Sequence, residues 1–242
     1  SLLAQAPVVH RVEPPNWWVG MKLDTVQLML YGEHLDNISV KTTANGVLIK
    51  RVHRVANPSY AFIDVAISRR ANPGEHVIRV ENTSGSTDIR FLLYKREKPE
   101  GRCQGFNPSD VIYLITPDRF VNGDTTNDSV PELIDRRNRA EPYGRHGGDI
   151  QGIIEKLDYL NDLGVTALWM NPMVEDNASL ASYHGYAATD LYRIDQRFGT
   201  NELYKKLVSE AHGRGLKIIM DHVNNHISIN HPWIKNLPVP DW

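Results

Sequence analysis

Two stretches of this 242-residue sequence crowd together side chains that can do chemistry. In the first, the apolar run LKIIM opens into Asp221, His222, Val223, Asn224, Asn225 and His226. A carboxylate, two imidazoles and two amides in so short a span can orient a polar ligand through hydrogen bonds, or can simply satisfy the backbone of a strand end. In the second, NGDTTND supplies Asn122, Asp124, Asn127 and Asp128, and HGGD further on adds Asp149 beside a glycine carbonyl. Oxygen donors in that number suit Ca2+, which takes roughly six to eight hard ligands. The same residue types also make ordinary turns.

The elements that must position these groups are read from periodicity. From Pro7 to about Lys95 apolar residues alternate, as strands buried on one face require: Val26, Leu28 and Leu30 share a face, as do Ile63, Val65 and Ile67, and Ile78 and Val80 oppose Arg79 and Glu81. The turn-rich segments YGEHLDN, TANG and ANPGEH punctuate the strands with no helical stretch between them. Residues 1–95 are thus predicted to form an immunoglobulin-like β-sandwich. A linker over 96–109 follows, in KREKPEGRCQGFNPSD, charged and poor in apolar residues.

Over 110–228 the pattern changes. VIYLIT, VTALWM and LKIIMDHV read as buried strands. Between them, DIQGIIEKLDYLNDLG places Ile150, Ile153, Ile154, Leu157, Leu160 and Leu163 on one helical stripe, and TNELYKKLVSEAHGRG is a second helix with Thr200 as N-cap and Gly213 or Gly215 at its end. Strand, helix, strand, helix, strand implies parallel strands with crossover helices. A doubly wound dinucleotide fold needs a glycine-rich turn after its first strand. Here a long polar insertion, Arg119 to Gly148, stands there instead, which favours a (β/α)8 barrel with decorated loops. In such a barrel the ligand site lies at the C-terminal ends of the strands, where Asp221 to His226 fall.

Composition narrows the partners. A hydrophobic content of 41% is ordinary for a folded domain, and a formal net charge of −2 offers no attraction to nucleic acid or to an acidic membrane surface. No stretch approaches the ~18 apolar residues of a membrane span. The lone Cys103 cannot form an intrachain disulfide. SLLAQAP reads either as the end of a signal-peptide apolar region, which favours a periplasmic or secreted protein, or as an arbitrary start, which leaves the cytoplasm open.

DHVNNH resembles the first signature of the α-amylase superfamily of glycoside hydrolases, Asp-x-x-x-Asn-His at the end of the third barrel strand. YHGYAATDLYRID is similar to that family's segment after the second strand, DVIYLITPDRFVNGD to its first strand, and GGDIQGIIEKLDYLNDLGVTALWMNP to its first helix and second strand, in family order. The resemblance implies that His226 donates a hydrogen bond to the 6-hydroxyl of the sugar in subsite −1. Tyr186 would stack beneath that sugar, His184 and Asn225 would lie beside it, and Asp221 would organise the site by pairing with an arginine near the nucleophile. It also implies a calcium site in which Asn122, Asp124, Asn127, Asp128 and Asp149 are joined by the Gly147 carbonyl. VEPPNWWVGMK resembles the start of the N-terminal domain of the neopullulanase and cyclomaltodextrinase branch, whose members pair as homodimers; Trp17 and Trp18 are then glucan-stacking aromatics or core.

In that family the nucleophilic aspartate follows the fourth strand, the acid/base glutamate the fifth and a further aspartate the seventh. The resemblance therefore implies the N-terminal part of a retaining α-glucan hydrolase acting on cyclodextrins, pullulan or maltodextrins: a sandwich, the first three βα units of a truncated barrel, and over 229–242 the start of an inserted domain. These residues alone would be inactive. Two alternatives stand beside this reading, a non-catalytic glucan-binding protein on the same fold, and an α-amylase or branching enzyme of another branch.

Overall fold

A computed structural model describes residues 5–97 and 105–242. The first four residues of SLLAQAP, Cys103 and half of the predicted linker lie outside the described residues. Residues 5–97 with 236–242 form one compact unit, and 105–235 a second.

The first unit is a two-sheet sandwich. Strands β1 (Val8–Glu13), β3 (Thr25–Glu33), β6 (Tyr60–Ile67) and β5 (Val47–Arg54) make one sheet in the order β1-β3-β6-β5. β2 (Asn16–Val19), β8 (Gly85–Lys95), β7 (Gly74–Asn82) and β4 (Ser39–Lys41) make the other, in the order β2-β8-β7-β4. Every pairing is antiparallel except β2 with β8, which is parallel. The period of two in the sequence is what builds the core: Val26, Leu28 and Leu30 on β3, Ile63, Val65 and Ile67 on β6, and Ile78 and Val80 on β7 are all buried in one cluster. Trp17 packs against that cluster, while Trp18, one residue on, turns to the other face and lies 6.1 Å from the ring of Tyr94. Residues 236–242 lie on the first sheet, with Tyr60 Oη donating to the Asn236 carbonyl at 2.7 Å and Phe62 facing Trp242 at 5.7 Å.

The second unit holds three parallel strands, β9 (Ile112–Ile115), β10 (Ala167–Met170) and β11 (Lys217–Met220), in the order β11-β10-β9. The helices pack on one face, where Ile115, Ile150, Ile153, Leu157, Leu160, Leu168, Met170, Leu207 and Ala211 form the core. The helix read as one stripe is broken in two, α1 (Ile150–Glu155) and α2 (Leu157–Asp162), at Lys156. The reason is in the spacing. From Ile154 onward the apolar residues recur every third position, which drifts off a 3.6-residue turn, and the tight turn at Lys156, whose N–H bonds the carbonyls of Ile153 and Ile154, brings Leu157 and Leu160 back to the core. Leu163 falls off the stripe and is 55% exposed. α3 (Asn201–Gly213) starts as expected, with Thr200 Oγ1 accepting from the Leu203 N–H at 3.0 Å, and Gly215 beyond it takes a positive φ. A short α4 (Pro232–Lys235) closes the unit.

The strands predicted as fully buried are covered on one face only. Ile112, Leu114, Trp169 and Met220 are 47%, 55%, 40% and 48% exposed. Helices α1 and α3 shield one side of the sheet, and β9 and β11 are its two edges.

Candidate active site

The site is built where β10 and β11 end. Alternation along β10 buries Leu168 and Met170 and turns Trp169 to the opposite face. There its indole N–H donates to Asp221 Oδ2 at 3.3 Å, the first residue past β11. Tyr186 Oη donates to the same oxygen at 2.9 Å. Partial burial, with the Asp221 charge and hydrogen bond added, raises the phenol's pKa, so Tyr186 stays a donor at neutral pH. Tyr186 as a whole remains 37% exposed.

A tight turn delivers Tyr186 to that position. Ala181 has φ 60° and Gly185 φ 74°, and a single 3-10 turn, Ser182–His184, lies between them. The glycine is required twice over: by the left-handed φ, and because a Cβ there would stand 1.9 Å from the Pro172 carbonyl oxygen. The Tyr186 N–H donates to His184 Nδ1 at 3.0 Å, and the two rings sit 5.6 Å apart, tilted by 43°. His226 closes the cluster from the loop after β11. Its Nε2 lies 2.8 Å from the Tyr186 carbonyl and its Nδ1 3.1 Å from Asn225 Nδ2. A carbonyl can only accept, so Nε2 carries the proton and Nδ1 accepts from Asn225. The structure thus brings together Asp221, His184, Tyr186, Asn225 and His226. It engages both nitrogens of His226 within the protein, so donation to a sugar hydroxyl requires that hydroxyl to displace the Tyr186 carbonyl.

Behind the turn lies a set of buried charges that sequence reasoning missed. Asp118, Arg145, Asp195 and Arg197 are each no more than 1% exposed. Arg197 holds Asp195 through a fork, Nε to Oδ1 at 2.9 Å and Nη2 to Oδ2 at 2.6 Å. Burial raises the Asp195 pKa, and the Arg197 bonds with the Arg145 charge outweigh it, leaving the carboxyl below its ordinary value. Arg145 Nη1 donates to Ser182 Oγ at 3.1 Å, and Asp135 accepts from both the N–H and the hydroxyl of Ser182. At the far end of the turn Asp176 accepts from the Ala187 N–H at 3.1 Å. The turn is therefore gripped on both sides. Asp118 follows β9 as Asp221 follows β11, and that strand-end position was the available signal; Arg145 and Arg197 carry none.

The oxygen-rich loop is also assembled. Asn122 Nδ2 donates to Asp128 Oδ1 at 2.6 Å, and a Cβ on Gly147 would stand 2.3 Å from that oxygen, so the three meet. Asp149 caps α1 through the Gly152 N–H at 2.7 Å and also accepts from Gly123, Asp124 and the Asn127 amide. Asp124 turns Oδ1 into its own 3-10 turn, toward Thr126. Asp128 Oδ2 pairs with Arg137 at 2.9 Å. Asn122 Oδ1 and Asn127 Oδ1 are buried without a hydrogen-bond donor among the described residues. Among the same residues, no group of three or more His, Cys, Asp and Glu side chains is disposed around a metal position.

Two family descriptions match the chain: the catalytic domain of alpha amylase over residues 114–238, and the cyclomaltodextrinase N-terminal domain over residues 11–97. The chain belongs to the α-amylase family. Within that family, a sandwich of cyclomaltodextrinase type followed by the catalytic domain places it in the neopullulanase and cyclomaltodextrinase branch. It is 44% identical over 119 residues to neopullulanase 2 of Thermoactinomyces vulgaris, a match covering 48% of this chain and 19% of that protein. It is 40% identical over 123 residues to the cyclomaltodextrinase of Thermoanaerobacter pseudethanolicus, with the same 48% and 19% coverage. Among solved structures, an Anoxybacillus alpha-amylase superposes with a TM-score of 0.50 at 42% identity, over 55% of this chain and 28% of that one. The matches therefore span about a fifth of these two relatives' length. No helix among the described residues is long and apolar enough to cross a membrane.

Proposed function

We propose that this chain is the N-terminal part of a retaining α-glucan hydrolase that cleaves α-1,4-glucosidic bonds in cyclodextrins, pullulan or maltodextrins. The observation that carries the reading is the exposed Tyr186 ring, tied by its hydroxyl to Asp221 at the ends of parallel strands. A sugar ring needs an apolar face to stack on and fixed polar groups at its rim. Tyr186 supplies the face, and Asp221, His184, His226 and Asn225 supply the rim. Asp221, which accepts from both Trp169 and Tyr186, organises the site in this reading. The nucleophile and acid/base, about 5–5.5 Å apart in a retaining enzyme, belong in this reading to later barrel strands. The half-covered sheet supports that placement: its exposed apolar face and two open edges suit the first three strands of a (β/α)8 barrel.

In the same reading the loop Asn122 to Asp149 holds Ca2+. The two buried amide oxygens of Asn122 and Asn127, which no donor meets among the described residues, are what a hard cation would satisfy, with Asp128, Asp149 and Gly147 beside them. Bound there, the ion would lock the loop to the start of α1 and take no part in bond cleavage. Chelation should lower the melting temperature, and added Ca2+ should restore it; an unchanged melting temperature would remove calcium from the account. In the same reading a homodimer is open to the whole protein, as the cyclomaltodextrinase-type N-terminal domain implies.

The functional test is release of reducing ends from γ-cyclodextrin, pullulan and starch. Faster initial rates on γ-cyclodextrin or pullulan than on starch support the proposal. A preference for starch would overturn the proposed substrate preference, and no release from any of the three would overturn the hydrolase reading.

A further inference from the structure

Arg119 is where the long insertion and the sugar-stacking turn meet. It lies just past β9, with its side chain 26% exposed. Its Nη2 donates to the carbonyls of Gly144 at 2.8 Å and Pro142 at 3.2 Å, and its Nη1 lies 2.7 Å from His146 Nε2. A guanidinium nitrogen can only donate, so His146 Nε2 is the acceptor of that bond. Nε lies 3.0 Å from Asp118 Oδ2. The flat face of the guanidinium covers the Tyr183 ring, Cζ 4.0 Å from the centroid. Tyr183 is 5.6 Å from the His184 ring, which is 5.6 Å from the Tyr186 ring. One side chain therefore joins the end of the first parallel strand, the 142–146 segment of the insertion and the turn that presents Tyr186.

We propose that Arg119 is a positioning residue for that turn: anchored by Nη2 on the Pro142 and Gly144 carbonyls, it holds the Tyr183 ring under its guanidinium and so sets where Tyr186 stands relative to Asp221. Nη1 and Nη2 donate to protein groups, and the buried Nε faces the Asp118 carboxylate without a hydrogen bond among the described residues, so the effect of Arg119 on a bound sugar passes through Tyr183 and Tyr186. A lysine cannot substitute, because an ammonium has neither the fork that reaches two carbonyls and an imidazole together nor the plane that stacks on a ring. The inference rests on the glucan-hydrolase reading of Tyr186. A misplacement of about 1 Å can reduce a rate by about a hundredfold.

The test is steady-state hydrolysis of γ-cyclodextrin by the complete protein and its Arg119→Ala and Arg119→Lys forms, with melting temperatures measured alongside. In Arg119→Ala, kcat is expected to fall by roughly ten- to a hundredfold, with KM little changed and with partial recovery of kcat on adding millimolar guanidinium. Arg119→Lys should be nearly as slow and should gain nothing from guanidinium. A lowered melting temperature with unchanged kcat in both variants, or a rise in KM alone, would overturn the positioning role. Should the wild-type protein itself release no reducing ends, the hydrolase reading fails separately. Crystal structures of the protein and of Arg119→Ala then decide the clamp: a Tyr183 to Tyr186 turn displaced by an ångström or more supports it, and a superposable turn overturns it.

Discussion

Replacing Gly185 by alanine perturbs the site through a single methyl group. The added Cβ would stand 1.9 Å from the Pro172 carbonyl oxygen, where a carbon–oxygen contact settles at about 3.3 Å. The turn must therefore move by about 1.4 Å, the difference between those separations. Carried to the Tyr186 hydroxyl, such a shift stretches its 2.9 Å bond to Asp221 beyond the limit of a hydrogen bond. Two costs combine. A left-handed φ costs about 1–2 kcal/mol in a non-glycine residue, and loss of a hydrogen bond to a charged group about 1.5–3 kcal/mol. Together they come to about 2.5–5 kcal/mol, so the melting temperature is expected to fall by roughly 5–20 °C. The rate on γ-cyclodextrin should drop by about a hundredfold, the effect of misplacing a binding group by an ångström. Differential scanning calorimetry and initial rates on the purified variant check both. A melting temperature within a degree of wild type together with a rate within threefold would refute the claim that Gly185 aims Tyr186.

Three further perturbations follow. Arg197→Met leaves the buried Asp195 carboxylate without its fork and should destabilise the protein by about 3–5 kcal/mol, read as a lower urea midpoint. Asp149→Ala removes the cap of α1 and strands the Gly123 and Asp124 N–H groups, a loss of about 2 kcal/mol or more by the same measurement, with Asp149→Asn intermediate. Asp110 is held down to a pKa of about 2 by the Lys217 ammonium first, then by the Asn107 N–H and the Thr166 hydroxyl. A depressed carboxyl contributes stability that is present above its unfolded value of 3.8 and is lost as pH falls toward about 2. Acid unfolding followed by circular dichroism should accordingly steepen across that window in wild type and flatten in Lys217→Met, and identical acid limbs would exclude the pair.

How much of this was legible beforehand depended on the range of the interactions. The sandwich core was, because alternation is a local pattern that Val26, Leu28 and Leu30 display without help from distant residues. So was the start of α3, where Thr200 caps the helix three residues on. The break at Lys156 was missed because a mixed 3- and 4-residue spacing passes for a helical stripe until the later every-third run is weighed against the turn. The Asp221, His184, Tyr186, Asn225 and His226 cluster was expected from its strand-end position and its resemblance, although the commitment of His226 to the Tyr186 carbonyl was not. Arg119, Arg145 and Arg197 were invisible for a different reason. An arginine on a polar loop reads as solvated surface, and only the fold brings residues 118, 145, 182 and 195 together around them.

The most direct test of the account is the rate of reducing-end release from γ-cyclodextrin by the complete protein, compared with its Tyr186→Ala form. Stacking on Tyr186 and its link to Asp221 predict measurable hydrolysis in wild type and a fall of about a hundredfold or more in the variant, with the fold intact by circular dichroism. Equal rates in the two proteins, or no hydrolysis by either, would contradict the assignment of this strand-end cluster as the sugar-binding site of an α-glucan hydrolase.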